Sequence, residues 1–451
     1  MLRGAFSSCC NFHIDTHPWK SETMLQQANI KNIHFRNGIE AWKSGQVEPA
    51  LGHFKHCRSL GMRDPHLNYW MALCFNALGQ PEIAEREVQA LLDQAPRNVP
   101  GLVMRDRLRA ENNARTRPKR ASGAKRIAFH MNQQFHYAIL RPLFELLSAE
   151  HEVLITFEPR ELPVFQPDVV IVCDAQAVNL RGFLPDAVSV NVLHGVSAGK
   201  NFVARGGMAA DYICVAGDSI AESLRSHHGM HQAQIWVTGY LETDPLFRHD
   251  PSALPIDIAP DRKIVLYAPT YNWGLSSVPL LQSRVAALIR GGRDDISIIT
   301  KPHPLIIENN PKWMAWFHEA GRHDPHFHLI EDLGLTMAPL MLAADLIVSD
   351  ASNCTFQFLA LDRPIVQINN LDAEQAGDAY DPDSIEWAWR NVGEDVFDVS
   401  KLAAAVTSGL DTPDAGAEKR AQYREKLFGP LTDGRAAERI AERIVALSEK
   451  Q

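Results

Sequence analysis

Residues that could bind phosphate groups and move protons follow the apolar runs that the sequence predicts to be β-strands. In open α/β sheets, ligands bind beyond the carboxyl ends of the strands, so residues at these positions are candidates for a common site. The positions are His194, Gly195, Ser197 and Lys200 after 188–193, Tyr240 and Asp244 after 235–238, Thr270 after 263–268, Lys301 and His303 after 296–300, and Asp350, Ser352 and Asn353 after 345–349. Together these residues supply the imidazole, ammonium, hydroxyl and amide groups that a site for a phosphate-rich ligand would require.

Each of these residues also has an ordinary structural interpretation. His194 alone could be a hydrogen-bonded strand-end histidine, Lys200 and Lys301 could be surface charges, and Asp350 with Ser352 could be a helix cap. The coincidence of five polar strand ends favours the functional interpretation. The segment from Asp350 to Asn353 is predicted to open a helix, whose free N–H groups and dipole suit a pyrophosphate.

The elements that must position these residues are short β-branched runs that alternate with helical or loop segments. This alternation is typical of parallel sheets with crossover helices. A proline-containing break at 251–260 separates two series of strands and predicts two Rossmann-like α/β domains that face each other across a cleft. The predicted strands are 126–130, 151–157, 168–173, 188–193, 211–215 and 235–238, followed by 263–268, 296–300, 327–330, 345–349 and 364–368.

Composition and missing motifs exclude several classes of protein. The 451 residues are 45% hydrophobic and 22% charged with a net charge of −9, which is typical of a globular protein and argues against a nucleic-acid binder. The sequence has no Gly-x-Gly-x-x-Gly turn, P-loop or Gly-x-Ser-x-Gly elbow. The seven cysteines form no Cys-x-x-Cys pair, and we expect Cys173 and Cys214 to be buried thiols in a reducing cytoplasm. No apolar run is long enough to span a bilayer.

The N-terminal part contains two consecutive windows of 34 residues, 31–64 and 65–98. They share small residues at the eighth and twentieth positions and a glycine at the fifteenth, a pattern that resembles tetratricopeptide repeats. The shared positions are Gly38 and Ala72, Gly45 and Gly79, and Ala50 and Ala84. A generic helical hairpin is the alternative. Because two repeats rarely stand alone, we expect them, with a capping helix near 99–113, to pack on the next domain or on a second subunit.

These patterns predict six segments along the chain. A disordered extension would be followed by the helical module, a basic linker that could be a solvated hinge or contact anionic lipid headgroups, two Rossmann-like domains and C-terminal helices. The expected boundaries are 1–30, 31–116, 117–126, 127–250 for the acceptor-side domain, 251–400 for the donor-nucleotide domain, and 401–451.

Several motifs in order resemble those of the CDP-glycerol glycerophosphotransferase family, which includes teichoic-acid polymerases and primases. The resemblance covers about 125–370. It is carried by His194-Gly195 with Lys200, Thr238-Gly239-Tyr240 with Asp244, Ala268-Pro269-Thr270, Lys301-Pro302-His303-Pro304, and Ser349-Asp350-Ala351-Ser352-Asn353 with Arg363-Pro364. The resemblance implies the GT-B arrangement and transfer of a polyol phosphate, such as glycerol phosphate, from a CDP-activated donor to a hydroxyl of a glycan or polymer.

The resemblance also implies roles for individual residues. His194 would deprotonate the acceptor hydroxyl, and His303 would contact the donor phosphates and assist the leaving group. The residues implied in binding the donor phosphates or nucleotide are Gly195, Lys200, Thr270, Lys301, Asp350, Ser352 and Asn353. Positioning and charge neutralisation by such groups suffice for phosphoryl transfer. No cofactor is implied beyond the CDP-polyol substrate. The histidines at 227–231 and 323–328 lack Cys or Glu partners, so we expect no metal site.

Two departures from the family pattern leave alternatives open. Lys200 stands six residues after the histidine instead of five, and Asp-Ala-Ser-Asn replaces Asp-Tyr-Ser-Ser at 350–353. The alternatives are a nucleotide-sugar glycosyltransferase or UDP-sugar 2-epimerase of the same fold, and a non-catalytic scaffold that carries repeats. For the transferase we expect a glycan or lipid-linked acceptor, a protein partner or second subunit on the helical module, and a cytoplasmic location, peripheral at the inner face of the cell membrane.

Overall fold

The computed structural model describes residues 22–116, 123–174, 177–182, 184–197, 209–250 and 254–447. They form two compact units, one from residues up to 137 with 148–167, and one from 138–147 with 168 onward. The predicted Lys200 lies outside the described residues, as does most of the basic linker, at 117–122.

The described part of the first unit contains five N-terminal helices, the first two strands and a short helix after them. Its glycines end helices as the repeat pattern requires, because Gly45 and Gly79 have positive φ at the turns after α1 and α3. Gly38 allows close helix packing, since a Cβ there would lie 2.5 Å from Cε1 of Phe54. The elements are α1 (Glu22–Lys43), α2 (Val47–Ser59), α3 (Pro65–Ala77), α4 (Pro81–Gln94), α5 (Val99–Thr116), β1 (Arg126–His130), β2 (Glu152–Thr156) and a short helix at Glu161–Phe165. The tetratricopeptide assignment stays a prediction.

Helix α1 begins at Glu22, inside the stretch expected to be a disordered extension. The first residues of the helix include Glu, Met, Leu, Gln and Ala, all strong helix formers, so local propensity supports a helix there. Residues 1–21 lie outside the described part of the chain.

The helices of the first unit are fixed through polar contacts to the segment that follows β2. Nε1 of Trp42 donates to Glu158 at 3.2 Å. Nη1 of Arg107 lies 2.8 Å from Oε2 of Glu161, and both side chains are nearly buried. The helical module therefore packs on the strands that follow it, as expected from the small number of repeats.

The second unit contains β3–β6 of the first sheet and all of the second sheet, and all the strand pairs described are parallel. The strand orders are β2-β1-β3-β4-β5-β6 and β12-β11-β10-β7-β8-β9. The strands are β3 (Val169–Val172), β4 (Val188–Asn191), β5 (Tyr212–Val215), β6 (Ile235–Val237), β7 (Lys263–Ala268), β8 (Ile296–Thr300), β9 (Phe327–Leu329), β10 (Leu346–Ser349), β11 (Ile365–Ile368) and β12 (Glu394–Val396). The prediction of two parallel α/β sheets is confirmed. Strand β12 was not predicted, because two of its three residues are acidic and it lies at a sheet edge.

Helices flank both sheets. The α-helices after β1 are His136–Ser148, Ala177–Leu180, Asp218–His228, Asp244–Arg248, Val278–Leu281, Val285–Arg290, Pro304–Asn309, Pro311–His323, Ala338–Ala343, Asn353–Phe358, Ile385–Ala388, Leu402–Asp411, Ala417–Phe428 and Ala436–Ala446. The 3₁₀-helices are Gln232–Gln234, Leu241–Thr243, Gln282–Arg284, Leu359–Leu361, Ala373–Ala379, Arg390–Val392 and Val399–Lys401. One hydrophobic core of the second unit includes Ile213 from the first sheet, Leu266 from the second, and Phe428.

The carboxylate of Asp244 caps the last helix of the chain. Its two oxygens accept hydrogen bonds from the backbone N–H groups of Ala436 and Ala437 at 2.9 and 3.0 Å. Asp244 therefore accepts the hydrogen bonds of backbone N–H groups at the start of this helix. Its position after β6 had made it a candidate for a catalytic or binding role. In the described residues, no helix has the length and apolar character needed to cross a membrane.

We predict that Arg107→Met destabilises the protein by about 3–5 kcal/mol, because it leaves the nearly buried carboxylate of Glu161 without its cation. The free energy of unfolding, measured by urea denaturation of the full chain, checks this. Arg86→Met is the control, since the exposed side chain of Arg86 bonds only to the Glu82 carbonyl among the contacts described. Equal stability of the Arg107 variant and wild type would contradict the prediction.

Candidate active site

His194 lies in the loop that follows β4. Its Nδ1 atom is 3.4 Å from the carbonyl oxygen of Cys173 and 4.0 Å from Oδ2 of Asp174. Both neighbours are acceptors, so in the neutral imidazole the proton belongs on Nδ1 and the basic lone pair on Nε2. The geometry therefore prepares His194 to accept a proton at Nε2, with the Asp174 carboxylate placed to stabilise the imidazolium that forms.

The backbone around His194 is strained and held by side chains. Leu193 has a φ of 60°, a left-handed conformation that is unusual for leucine. Its N–H donates to Oδ1 of Asn191 at 3.0 Å, and Nδ2 of Asn191 donates to the carbonyl of Asp174 at 3.1 Å. Strain of this kind persists where surrounding contacts over-determine the backbone, and it concentrates at functional sites.

His303 caps the helix Pro304–Asn309, and its proton is on the opposite nitrogen. Its Nδ1 accepts a hydrogen bond from the N–H of Leu305 at 3.2 Å, so in the neutral ring the proton is on Nε2. The ring lies beside Tyr271, with centroids 4.7 Å apart. His303 is thus prepared to donate from Nε2, whereas His194 is prepared to accept at Nε2.

Lys301 is only 5% exposed at the end of β8, and its Nζ donates to the backbone carbonyl of Asp332. Burial lowers the pKa of this ammonium to about 8, although the nearby Asp332, Cys354 and Glu242 favour the charged form. The side chain is therefore mostly charged at neutral pH and loses its proton within a mildly alkaline range.

Asp350 organises the loop after β7. Its Oδ1 accepts from the N–H of Thr270, and its Oδ2 accepts from the N–H and the hydroxyl of Ser277, each at 2.8 Å. Burial raises the pKa of this carboxyl, while the three donors oppose the increase. In the structure Asp350 thus accepts three hydrogen bonds from the loop that carries Thr270, and the roles of Asp350 and Thr270 in donor binding stay predictions.

At the start of the helix Asn353–Phe358, the two residues expected to bind pyrophosphate, Ser352 and Asn353, make contacts within the protein, and their role in binding stays a prediction. Oγ of Ser352 accepts from the N–H of Cys354 at 3.3 Å, so this hydroxyl is a helix cap. Oδ1 of Asn353 accepts from the N–H of Ser197 at 2.8 Å, and its amide lies against Gly195. The structure thus brings together Gly195, Ser197 and Asn353, which come from loops of the two different sheets.

Glu242 is a site residue that the sequence analysis missed. It follows β6 and accepts hydrogen bonds from Tyr240 Oη at 2.9 Å and Gln357 Nε2 at 3.4 Å. Burial raises the pKa of Glu242, and the charge of Lys301 opposes that increase. The only sequence signal was its position two residues after Tyr240 at a strand end, because its partners Lys301 and Gln357 are distant in the chain.

A family model for the CDP-glycerol:poly(glycerophosphate) glycerophosphotransferases matches residues 134–446, more than half of the chain. The protein therefore belongs to this family, and the predicted family is confirmed.

Two curated relatives carry the same printed name, teichoic acid glycerol-phosphate primase. The relative from Bacillus subtilis (strain 168) is 26% identical over 162 residues, which are 35% of this chain and 39% of the relative. The relative from Bacillus spizizenii is 30% identical over 111 residues, which are 24% of this chain and 25% of the relative. The chain thus spans well under two thirds of the length of the curated relatives it matches.

Solved structures share the fold. A wall teichoic acid polymerase TagF has a TM-score of 0.54 at 15% identity, covering 76% of this chain and 96% of TagF. The UDP-GlcNAc 2-epimerase from Neisseria meningitidis has a TM-score of 0.51 at 14% identity, covering 71% of this chain and 99% of the epimerase. At such low identity these similarities establish the GT-B-like fold only, which both a transferase and an epimerase use.

Proposed function

We propose that this protein transfers a glycerol-phosphate-type polyol phosphate from a CDP-activated donor to a hydroxyl of a glycan or polymer acceptor. The observation that carries the proposal is the contrast between the Nδ1 neighbours of the two strand-end histidines. Nδ1 of His194 faces acceptors, and Nδ1 of His303 receives a backbone N–H. One imidazole can therefore take a proton as a general base, while the other can donate a hydrogen bond to a phosphate oxygen.

In the proposed reaction the acceptor oxygen forms a bond to the phosphorus that carries the polyol. The bond from that phosphorus to the bridging oxygen of the diphosphate breaks, and CMP leaves with the electron pair. The acceptor proton passes to Nε2 of His194, and the Nε2–H group of His303 donates a hydrogen bond to the leaving phosphate, which departs as the CMP anion. The ammonium of Lys301 would offset the negative charge of the phosphates, since phosphoryl transfer depends on positioning and charge neutralisation.

The acceptor and location are also proposals. We propose a glycan or lipid-linked acceptor, reached by peripheral association at the inner face of the membrane through the basic residues at 117–120, which lie outside the described residues. Arg126 would not contribute, because its guanidinium lies 4.9 Å over the ring of Phe165 and 3.7 Å from Glu152. We further propose that the helical module recruits a protein partner or a second subunit.

We predict that the purified protein releases CMP from CDP-glycerol when free and lipid-linked oligosaccharides are offered as acceptors. His194→Ala and His303→Ala should each lower the rate by on the order of 100-fold or more, because the first removes the base and the second removes a hydrogen-bond donor to the leaving phosphate. Chromatography of the nucleotide products measures this. His227→Ala, a change in an exposed helix-end histidine, is the control and should keep wild-type turnover.

The same assay separates the alternatives. UDP release from UDP-sugars would indicate a glycosyltransferase, and isomerisation of UDP-GlcNAc would indicate an epimerase. Calorimetric binding of CDP-glycerol without turnover across the acceptor panel would favour the scaffold. Wild-type rates in both histidine variants would contradict the proposed mechanism.

We predict that affinity for CDP-glycerol decreases between pH 7 and pH 9. The pKa of Lys301 is about 8, so its positive charge is present below that pH and is lost above it. Lys301→Gln should weaken binding at pH 7 and flatten the pH dependence, as measured by calorimetry. Lys263→Gln, which changes a lysine paired with Asp345, is the matched control. A pH dependence that persists in the Lys301 variant would contradict a direct role for this ammonium.

A further inference from the structure

The side chain of Asn353 connects two loops that belong to different sheets. Asn353 opens the helix after β10, and its Oδ1 accepts a 2.8 Å hydrogen bond from the N–H of Ser197. Ser197 lies three residues after His194 in the loop that follows β4. A residue expected to bind phosphate therefore contacts the loop that carries the proposed base.

The contact between Asn353 and this loop is tight. A Cβ atom on Gly195 would lie 2.6 Å from both Cγ and Nδ2 of Asn353, a distance that real Cβ contacts do not reach. Gly195 is not among the glycines with positive φ, so its backbone does not require glycine. The amide of Asn353 is the neighbour that excludes a larger residue at position 195.

Ser197 has a second bond to the same domain as Asn353. Its hydroxyl donates to Oε2 of Glu386 at 3.0 Å, and Glu386 is fully buried in the helix Ile385–Ala388. Ser197 is itself only 4% exposed. Both its backbone and its side chain are thus held by residues that follow the strands of the second sheet.

These bonds fix the Ser197 end of the segment 193–197, and the backbone is strained at its other end, Leu193. Leu193, with its φ of 60°, precedes His194, and a non-glycine residue in that region costs on the order of 1–3 kcal/mol. Asn191 holds the N–H of Leu193 from the strand side. Without the bond from Ser197 to Asn353, this end of the segment would lose the acceptor of the Ser197 N–H and keep the side-chain bond to Glu386.

We propose that Asn353 is a positioning residue that holds the segment 193–197 in the conformation in which His194 acts as the base. This inference rests on the proposed function for its catalytic consequence. Under this proposal, His194 is held in position to accept a proton only while the loops of the two sheets are in contact. Domain opening would then relax the segment 193–197. Asn353 would then control the rate of transfer and have little direct part in donor affinity.

Kinetics distinguish positioning from phosphate binding. Asn353→Ala should lower kcat by roughly 10- to 100-fold, because small misplacement of a catalytic group has effects of this size. The Kd for CDP-glycerol, measured by calorimetry without acceptor, should stay within about threefold, since the charge-bearing Lys301 is untouched. Asn353→Asp keeps an acceptor for the Ser197 N–H and should recover most of kcat. If Asn353 instead bound a donor phosphate, Asn353→Asp would weaken donor binding and would not recover activity, because a carboxylate repels the donor.

A second pair of variants tests the contact itself. Gly195→Ala should lower kcat in the wild-type chain, because the new methyl group displaces the Asn353 amide. In the Asn353→Ala background, Gly195→Ala should lower kcat little further, since the Asn353 amide is already absent. Independent, additive losses would overturn the proposed coupling between the two residues.

Amide hydrogen exchange tests the proposal even if CDP-glycerol is not the donor. Exchange at Ser197 should accelerate in Asn353→Ala and stay slow in Asn353→Asp. Asn98→Ala, which removes a similar bond to the N–H of Gly101 in the helical module, is the control and should leave Ser197 unchanged. Unchanged exchange at Ser197 in Asn353→Ala would overturn the proposal, and so would a large loss of donor affinity with normal kcat.

Discussion

Buried backbone N–H groups at the strand ends must find acceptors, and side chains supply them throughout this site. Asp350 accepts hydrogen bonds from the N–H groups of Thr270 and Ser277 in the loop after β7 of the second sheet. Asp244 serves the start of the last helix by the same means. A buried backbone donor without a partner costs free energy comparable to a lost hydrogen bond, so these loops keep their shape only while the acceptors are present.

The same constraint assigns chemistry to a few remaining groups. A backbone carbonyl lies beside Nδ1 of His194, and a backbone N–H faces Nδ1 of His303, which favours opposite tautomers in the neutral rings. Lys301 keeps its charge at neutral pH although it is buried. The carboxylates and amides nearby therefore hold the loops, while the two imidazoles and the ammonium are the groups to which we assign the proposed chemistry.

Much of the fold followed from local sequence pattern, because β-branched runs and their spacing determine parallel strands. The strand-end positions of His194, Lys301 and His303 were predicted for the same reason. The tasks of Asp350 and Asn353 were not, since Asp350 bonds a residue 80 positions away and Asn353 bonds one 156 positions away. Sequence spacing carries no information on such contacts, and for that reason Glu242 also escaped notice.

In their neutral forms, His194 and His303 should be tautomers of opposite kind. Nitrogen-15 NMR of histidine-labelled protein tests this prediction most directly, with the two rings assigned by His194→Asn and His303→Asn variants. The account predicts a protonated Nδ1 in His194 and a protonated Nε2 in His303 at pH 8. The same tautomer in both rings, or the two tautomers exchanged, would contradict it.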